Sequence, residues 1–313
     1  MRIIRHLEEL AEQACGAAIA VGNFDGVHRG HVGVIGEAGR IAKTAGVPWA
    51  VMTFEPHPRN VFTPQTSPFR LTPMRAKARE IAALGVDYLF VPRFDLAFSK
   101  MTAEDFIGRI LVAGVRARHV VCGYDFVFGH GRRGDSELLL RSGRSDGFGF
   151  TCVQQVRDGE GEGFSATRAR ECLRNADPSG ATHVLGRPFE IEGRVVMGDQ
   201  RGRTIGYPTI NLSLGEYLRP ANGVYAVRVG FGDGGNTVWH SGVSNLGLRP
   251  TFAKADVVLE AHLFDFDRDL YGKRVRVALI DFLRPEKKFD GIAELKAQIA
   301  EDSENARRIL ARA

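Results

Sequence analysis

A change of rhythm halfway along the sequence constrains its fold more than any single residue does. Through the first half, apolar strand-like runs alternate with helical stretches. They run Ala17–Val21 closed by Gly22, a helix over 31–45, Pro48–Phe54 stopped by Pro56 and Pro58, a helix over 75–84 ended by Gly85, Val86–Val91, a helix over 103–112, and His119–Cys122. Such alternation predicts a parallel sheet with helices on both faces. After about Asn175 the rhythm changes. A polar stretch, Asn175–Gly180, reads as a linker, and beyond it strand-like runs follow closely with frequent glycines: Glu190–Val196, Gly223–Val229, Val238–Val243, Val257–Phe264 and Val275–Phe282. Closely spaced strands without intervening helices predict an antiparallel barrel or sandwich. In the tail, Ile292, Leu295, Ile299, Ile309 and Leu310 are spaced for one or two amphipathic helices packed on that sheet.

Bulk properties agree with two soluble domains. The chain has 313 residues, against a soft prior of roughly 150 per domain. A hydrophobic fraction of 44% with 25% charged residues excludes disordered and fibrous classes. The net charge of +5 suits anionic small ligands as well as nucleic acid, but no block of like charge marks a nucleic-acid tail. Cys15, Cys122, Cys152 and Cys172 form no CxxC pair, which argues against zinc, and a chain this long needs no disulfides. Acidic residues interrupt the N-terminal stretch early, unlike a signal peptide, and no apolar run is long enough to span a membrane. The expected setting is soluble, reducing and cytoplasmic.

The sharpest local signal is Gly22-Asn23-Phe24-Asp25-Gly26-Val27-His28-Arg29-Gly30-His31, directly after a strand and opening a helix. Amides at a helix start favour anions, and glycines let phosphate approach the main chain. Two histidines flanking a glycine there can donate hydrogen bonds to phosphoryl oxygens, on which charge builds when a phosphate is attacked. The bland alternative is a capped helix start whose histidines satisfy backbone groups. Three further segments follow strand ends: Thr53-Phe54-Glu55-Pro56-His57-Pro58, Cys122-Gly123-Tyr124-Asp125-Phe126-Val127-Phe128-Gly129 and Ser165-Ala166-Thr167-Arg168-Ala169-Arg170. Strand carboxyl ends are where open α/β sheets bind ligands, so these segments are expected to share one cleft. Asp125 also reads as a turn-forming residue, Phe54, Phe126 and Phe128 also read as core, and His57 as a rigid turn residue.

The second half carries Gly198-Asp199-Gln200-Arg201-Gly202-Arg203-Thr204-Ile205-Gly206-Tyr207-Pro208-Thr209-Ile210-Asn211-Leu212. It matches neither a Walker A loop nor a protein-kinase signature. It does offer backbone donors, arginines and the oxygen-bearing pair Thr209 and Asn211, and oxygen ligands suit Mg²⁺ bridging to nucleotide phosphates. A glycine-rich hairpin is the alternative. In Leu259–Phe266, Glu260 shares a strand face with Val258, His262 and Phe264, either as a cross-strand polar partner or as a functional carboxylate. Asp265, Asp267 and Asp269 read as a solvated acidic turn, and Arg284, Glu286, Lys287 and Lys288 as a charged strand exit.

His-x-Gly-His after the first strand resembles the nucleotidyltransferase superfamily. With the segments at 53–58, 122–129 and 165–170, residues 15–172 look like the adenylyltransferase half of the bacterial bifunctional riboflavin kinase/FAD synthetase family. Pro208-Thr209-x-Asn211, Asn222–Val227, Gly242–Phe252 and Leu259–Phe266 leading to Leu270-Tyr271-Gly272 resemble its riboflavin kinase half, from Leu185 to Asp302. The resemblance implies an α/β plus β chain: a Rossmann-like nucleotidyltransferase domain over 1–182, then a small antiparallel β-barrel kinase domain with a C-terminal helix over 183–313. It implies phosphorylation of riboflavin to FMN and adenylylation of FMN to FAD with release of pyrophosphate. Mg²⁺ would accompany ATP, and FMN and FAD would be substrate and product rather than redox cofactors. His28 and His31 would stabilise the reacting phosphates. Gly22, Phe24, Asp25, Gly26, Arg29, Ser165, Thr167 and Arg170 would bind ATP in the first domain, and Gly198, Arg203 and Gly206 in the second. Asp125, Phe126, Phe128, Asn245 and Arg249 would bind flavin, Thr209 and Asn211 the metal, and Glu260 would take the proton from the ribityl 5′-hydroxyl. The family's Ser-Ser-Thr-x-x-Arg segment has Ala166 at its middle serine here. The expected partners are riboflavin, FMN and ATP, with no nucleic acid or membrane; the sequence sets no oligomeric state. A one-activity enzyme, a nucleic-acid-binding barrel and a flavin-binding regulator are the rival readings.

Overall fold

The structure is a computed structural model describing residues 1–7, 10, 12–63, 67–197, 207–232, 237–250 and 255–312, without the side chains of 248–250 and 255–256. Two compact units divide the chain: Met1–Ser67 with Thr72–Ser165, and Pro68–Leu71 with Ala166–Ala313.

In the first unit, six strands among the described residues form one parallel sheet. They are β1 (Arg2–Ile4), β2 (Ala18–Val21), β3 (Trp49–Met52), β4 (Tyr88–Phe90), β5 (His119–Gly123) and β6 (Gly149–Val153), in the order β1-β4-β3-β2-β5-β6. All of β2 is buried, as expected for a parallel strand covered on both faces. Its side chains alternate between two cores. Ile19 and Val21 pack with Met52, Phe106 and Leu111 on one face, and Ala20 packs with Ile35, Val51 and Ile81 on the other. Helices α1 (Arg29–Ala45), α2 (Pro58–Phe62), α3 (Met74–Ala83) and α5 (Ser136–Asp146) accompany the sheet. So does α4 (Ala103–Asp105), which runs on with π spacing through Phe106–Gly114. At its end Val115 N donates to Ile110 O at 2.9 Å.

The strands read from the sequence lie where expected; β2, β3 and β4 are shorter than read, and β5 runs one residue further, to Gly123. In this unit β1, α2, α5 and β6 were not read from the sequence. The expected linker over 175–180 is instead a helix junction. Asp177 caps α7 (Pro178–Leu185), accepting from Gly180 N at 2.7 Å, with Pro178 in the first turn where its missing N–H costs nothing. Just before it lies α6 (Ala166–Arg174), also in the second unit.

The second unit is built on an antiparallel sheet of β7 (Phe189–Arg194), β8 (Thr209–Ser213), β9 (Gly223–Phe231), β10 (Val238–Pro250), β11 (Ala255–Leu263) and β12 (Arg274–Arg284). Among the described residues its order is β7-β12-β9-β10-β11-β8. The sheet curls until its two edges meet, where Val196 pairs with Asn211 and donates its N–H to the Asn211 carbonyl at 2.9 Å. This closure is what a small barrel uses to remove exposed edges. One helix, α8 (Ile292–Leu310), covers the sheet with its C-terminal half. Ala306 and Leu310 are buried against Val224, Ala226, Val243 and Phe264, whereas Ile292 stays exposed. Arg284, read as part of a charged strand exit, instead pins this helix through a two-pronged pair with Asp302, at 2.9 and 2.7 Å.

Candidate functional site

In the first sheet the chain steps from β2 to β3 on one side, and β5 lies on the other. The carboxyl ends of β2 and β5 therefore flank the point where strand order reverses, the position at which open sheets leave a crevice. The loop after β2 is unusual. Phe24, Gly26 and Val27 all have positive φ, at 47°, 87° and 42°. The left-handed region is uncommon for any non-glycine residue and an outlier for a β-branched one such as Val27. Phe24 and Val27 are each 2% exposed, packed into the core on the α1 and α3 side.

Polar side chains from outside the loop hold it. The Asn23 carbonyl accepts from Thr53 Oγ1 at 3.0 Å and from Lys77 Nζ at 2.6 Å. Buried Asp25 accepts from Thr72 N at 3.0 Å, and Gly26 N donates to Thr72 Oγ1 at 2.8 Å.

His28 is the N-cap of α1, its Nδ1 accepting from His31 N at 3.3 Å. That bond places the proton of a neutral ring on Nε2, which is then a donor. The His28 and His31 rings stack with centroids 3.5 Å apart. Capping and phosphate donation are thus compatible in His28, because they use opposite nitrogens. A Cβ on Gly30 would lie 3.0 Å from the Phe164 carbonyl and 3.1 Å from the His28 ring, which accounts for a glycine between the histidines. Arg29 is exposed, its guanidinium 5.6 Å from the Phe164 ring centroid.

After β5, Asp125 is exposed on a turn in which Phe126 N donates to Gly123 O at 3.1 Å. Phe126 and Phe128 stack at 5.5 Å. Phe128 and Phe54 are buried, and both lie against Phe106, at 5.3 and 6.2 Å. Phe54 and Phe128 are therefore core residues here, with Phe126 at their edge. His57 caps α2, accepting from Arg59 N at 3.2 Å, which is its turn-residue role. Cys122 lies in register with Cys152, and burial first, then that neighbour, pushes its thiol up to about 12, so it stays protonated. Ser165 closes the first unit, half-buried. Thr167 and Arg170 belong to the second, on α6, where Arg170 Nε donates to Phe69 O at 2.9 Å.

In the second unit the register builds the site. Glu260 on β11 is directly opposite Asn211 on β8 and directly opposite Asn245 on β10. Residues opposed in an antiparallel pair share a face, with Cβ atoms roughly 4.5–5.5 Å apart. Asn211, Glu260 and Asn245 therefore form one polar row across three strands. Two residues along, Thr209 pairs with His262 on the same face. His262 Nδ1 donates to the Pro208 carbonyl at 2.9 Å, tethering the segment before β8.

A cavity of about 400 Å³ opens at the Thr209 and Asn211 end, lined also by Phe266, Asp267, Arg268 and Asp269. Asp267 and Asp269 of the acidic turn are exposed, as read, and also line this cavity, whereas Asp265 pairs with Arg307. At the other end of the row, Asn245 Nδ2 donates to Glu286 Oε1 at 3.2 Å. A Cβ on Gly247 would collide with the same carboxylate. Glu286 was read only as strand-exit charge; its place beside the row depends on how β10 and β12 each pair with β9, which a single sequence does not display. Gly198, Arg203 and Gly206 lie outside the described residues, as does the Arg249 side chain.

A divalent cation fits this end of the row. Asn211 is 4% exposed, and its Oδ1 has no hydrogen-bond partner among the described residues. A buried amide oxygen left unsatisfied is costly unless a ligand uses it. Among the described residues no group of three or more His, Cys, Asp or Glu side chains is arranged to hold a metal.

The FAD synthetase family matches residues 10–168 and the riboflavin kinase family residues 185–310. Over 308 residues the chain is 42% identical to the bifunctional riboflavin kinase/FMN adenylyltransferase of Escherichia coli strain K12, covering 98% of this chain and 97% of that protein. This chain belongs to that family. The Bacillus subtilis member is 37% identical over 303 residues, covering 95% of this chain and 93% of its own length. A crystal structure described as a macrolide-efflux protein from Streptococcus pneumoniae superposes with a TM-score of 0.84 at 30% identity, covering 97% of this chain and 98% of that one. Among the described residues no helix here is long and apolar enough to cross a membrane. The two activities are thus riboflavin phosphorylation and FMN adenylylation, with riboflavin, FMN and ATP as substrates.

Proposed function

We propose the following division of labour. Residues 1–182 carry adenylyl transfer and 183–313 the kinase, a boundary supported by the gap between the two matched spans. In the kinase, Glu260 takes the proton from the ribityl 5′-hydroxyl as that oxygen attacks the γ-phosphate of ATP. The observation carrying this reading is the polar row, in which Glu260 stands between Asn211 and Asn245 in direct register. Asn211 and Thr209 hold Mg²⁺ at the nucleotide end, and the family motif assigns Gly198, Arg203 and Gly206 to the ATP phosphates. Bound there, the metal would neutralise charge on the transferring phosphoryl group. Asn245 and Glu286 meet the flavin, to which the family motif also assigns Arg249. The carboxylate and amide suit a hydroxyl-rich ribityl chain.

In the first unit, the FMN phosphate attacks the α-phosphate of a second ATP and pyrophosphate leaves. His28 donates from Nε2 to the reacting phosphates, and His31, stacked on it, donates to them as well. The Phe24 N–H and Arg29 serve the ATP phosphates, and Gly22, Asp25 and Gly26 shape the loop around them, the N–H groups of Gly22 and Gly26 being taken by the Met52 carbonyl and Thr72 Oγ1. The family motif assigns Ser165, Thr167 and Arg170 to the triphosphate. Asp125 and Phe126 meet the flavin, with Phe128 packed behind them. The cytoplasm is the setting, in keeping with four free cysteines, and the chemistry requires no nucleic-acid or membrane partner.

The test is chromatographic: riboflavin, ATP and Mg²⁺ are incubated with the protein and flavins are followed over time. FMN precedes FAD, and chelation of Mg²⁺ stops both. FAD formation from supplied FMN without any kinase activity would overturn the role given to the row.

A further inference from the structure

Lys77 is 0% exposed, yet it belongs to none of the segments that carry the chemistry. It lies on α3 among Met74, Ala78 and Ile81, on the face turned to the core. Burying an ammonium is expensive, and an apolar side chain of similar length would fill the same space without that cost. What the ammonium holds is therefore informative. It donates to the Asn23 carbonyl at 2.6 Å and to Thr53 Oγ1 at 3.2 Å, and Thr53 Oγ1 donates to that same carbonyl at 3.0 Å.

We propose that Lys77 is a positioning residue for adenylyl transfer, its buried ammonium locking the Asn23–Phe24 peptide so that the left-handed loop presents its donors to ATP. The proposal rests on the reading of 22–31 as the adenylyl-transfer site. A trans peptide is planar, with its C=O and N–H antiparallel. With the Asn23 carbonyl drawn to the ammonium, the Phe24 N–H faces the opposite way, and it donates to no described residue. The next residues then take positive φ at Phe24, Gly26 and Val27 before His28 caps α1. Strained backbone of this kind persists only where its surroundings over-determine it. Thr72 fixes the loop at Asp25 and Gly26; Lys77 fixes it two residues earlier, at Asn23, and with charge. Donors prepositioned for a developing charge need no reorganisation during the reaction.

The experiment uses the full chain with Lys77→Met, Lys77→Gln and, as a control on the underlying reading, His31→Ala. Adenylyl transfer is measured from supplied FMN, the kinase half-reaction in the same samples, and hydrogen exchange peptide by peptide. K77M is expected to lower adenylyl-transfer kcat about 10–100-fold, the scale of a small misplacement of reacting groups. It leaves the kinase rate unchanged and speeds exchange in 22–28 while β2 and β3 stay protected. K77Q keeps an N–H donor without the charge and lies between. Wild-type adenylyl transfer in a folded K77M or K77Q overturns the proposal. So does exchange raised throughout β2 and β3 in both variants, which would make Lys77 a structural residue of the core. If H31A loses adenylyl transfer and the Lys77 variants do not, only the proposal falls. If H31A keeps it, the reading of the loop falls and the proposal with it.

Discussion

The two units handle phosphate with opposite constructions. The first concentrates its groups in one run, Gly22 to His31, bent through three left-handed residues and held by Thr53, Thr72 and Lys77 from elsewhere in the fold. The second spreads Asn211, Glu260 and Asn245 over three strands and lets main-chain register hold them. A loop site therefore depends on side chains outside its motif, whereas a register site depends on the backbone ladder and on little else nearby. Substitutions that leave the ladder intact should alter kinase chemistry cleanly. Substitutions behind the loop should reach adenylyl transfer from a distance.

The largest effect expected is at Glu260. Glu260→Gln keeps the shape of the row and removes its base, so riboflavin phosphorylation should fall about 10²–10⁴-fold. FAD formation from supplied FMN should proceed at the wild-type rate. Chromatography of the two half-reactions checks both. A parallel loss of adenylyl transfer would break the comparison, because a register site would then not be insulated.

His28 and His31 come next, and they separate function from scaffolding within the loop. Either alanine substitution should slow adenylyl transfer by about 10²–10³-fold, the range for a lost oxyanion-type donor. Only His28 also caps α1, so His28→Ala should in addition cost roughly 1 kcal/mol of stability. Equal melting temperatures for the two variants would show that the cap bond contributes nothing.

The same contrast explains what could be read from the sequence. The His28-x-Gly-His31 run is contiguous and follows a strand, so strand, turn and donors are visible together. The polar row is visible only through pairing. Glu260 stands out by alternation within its strand, but nothing in one sequence says which residue of β8 or β10 lies opposite. Strand β8 itself was read as part of a glycine-rich segment, since five residues after Pro208 give little periodicity. Helix α5 escaped because Ser142, Gly143 and Ser145 interrupt its apolar pattern, and the 175–180 linker because Asp-Pro-Ser-Gly signals a turn as readily as a capped helix start. Lys77 did leave a signal: it occupies the i+3 place between Met74 and Ala78 in a stripe continued by Ile81, where an exposed lysine would not fall.

Asn211 offers a trade between stability and chemistry. Its buried Oδ1 has no partner among the described residues, so Asn211→Leu should raise stability by about 1 kcal/mol by removing an unsatisfied acceptor. Losing a metal-site oxygen should cost the kinase about 10–100-fold. A destabilised variant with full kinase activity would mean the side chain serves the fold instead. Glu286→Gln should act more weakly, raising the KM for riboflavin about tenfold, or ~1.4 kcal/mol, with the KM for ATP unchanged. The asymmetry matters more than its size, since it assigns the two ends of the row to different substrates.

The smallest effect expected is at Ala166, where the family motif has a serine. Ala166 opens α6, and a hydroxyl there would add one neutral hydrogen bond at most. Such a bond is worth about 0.5–1.5 kcal/mol, and in this segment it would supplement Arg170, whose charge-assisted contacts are the stronger ones. Ala166→Ser should therefore raise kcat/KM for ATP in FAD formation by about two- to fivefold, with kinase kinetics untouched and stability shifted by only a few tenths of a kcal/mol. Steady-state rates at saturating FMN measure it. No change would mean that the remaining hydroxyls and the arginine already saturate the phosphate contacts. A gain well above tenfold would instead make the missing serine the chief limit on the second step, and would move the weak point of adenylyl transfer from the strained loop to the start of α6.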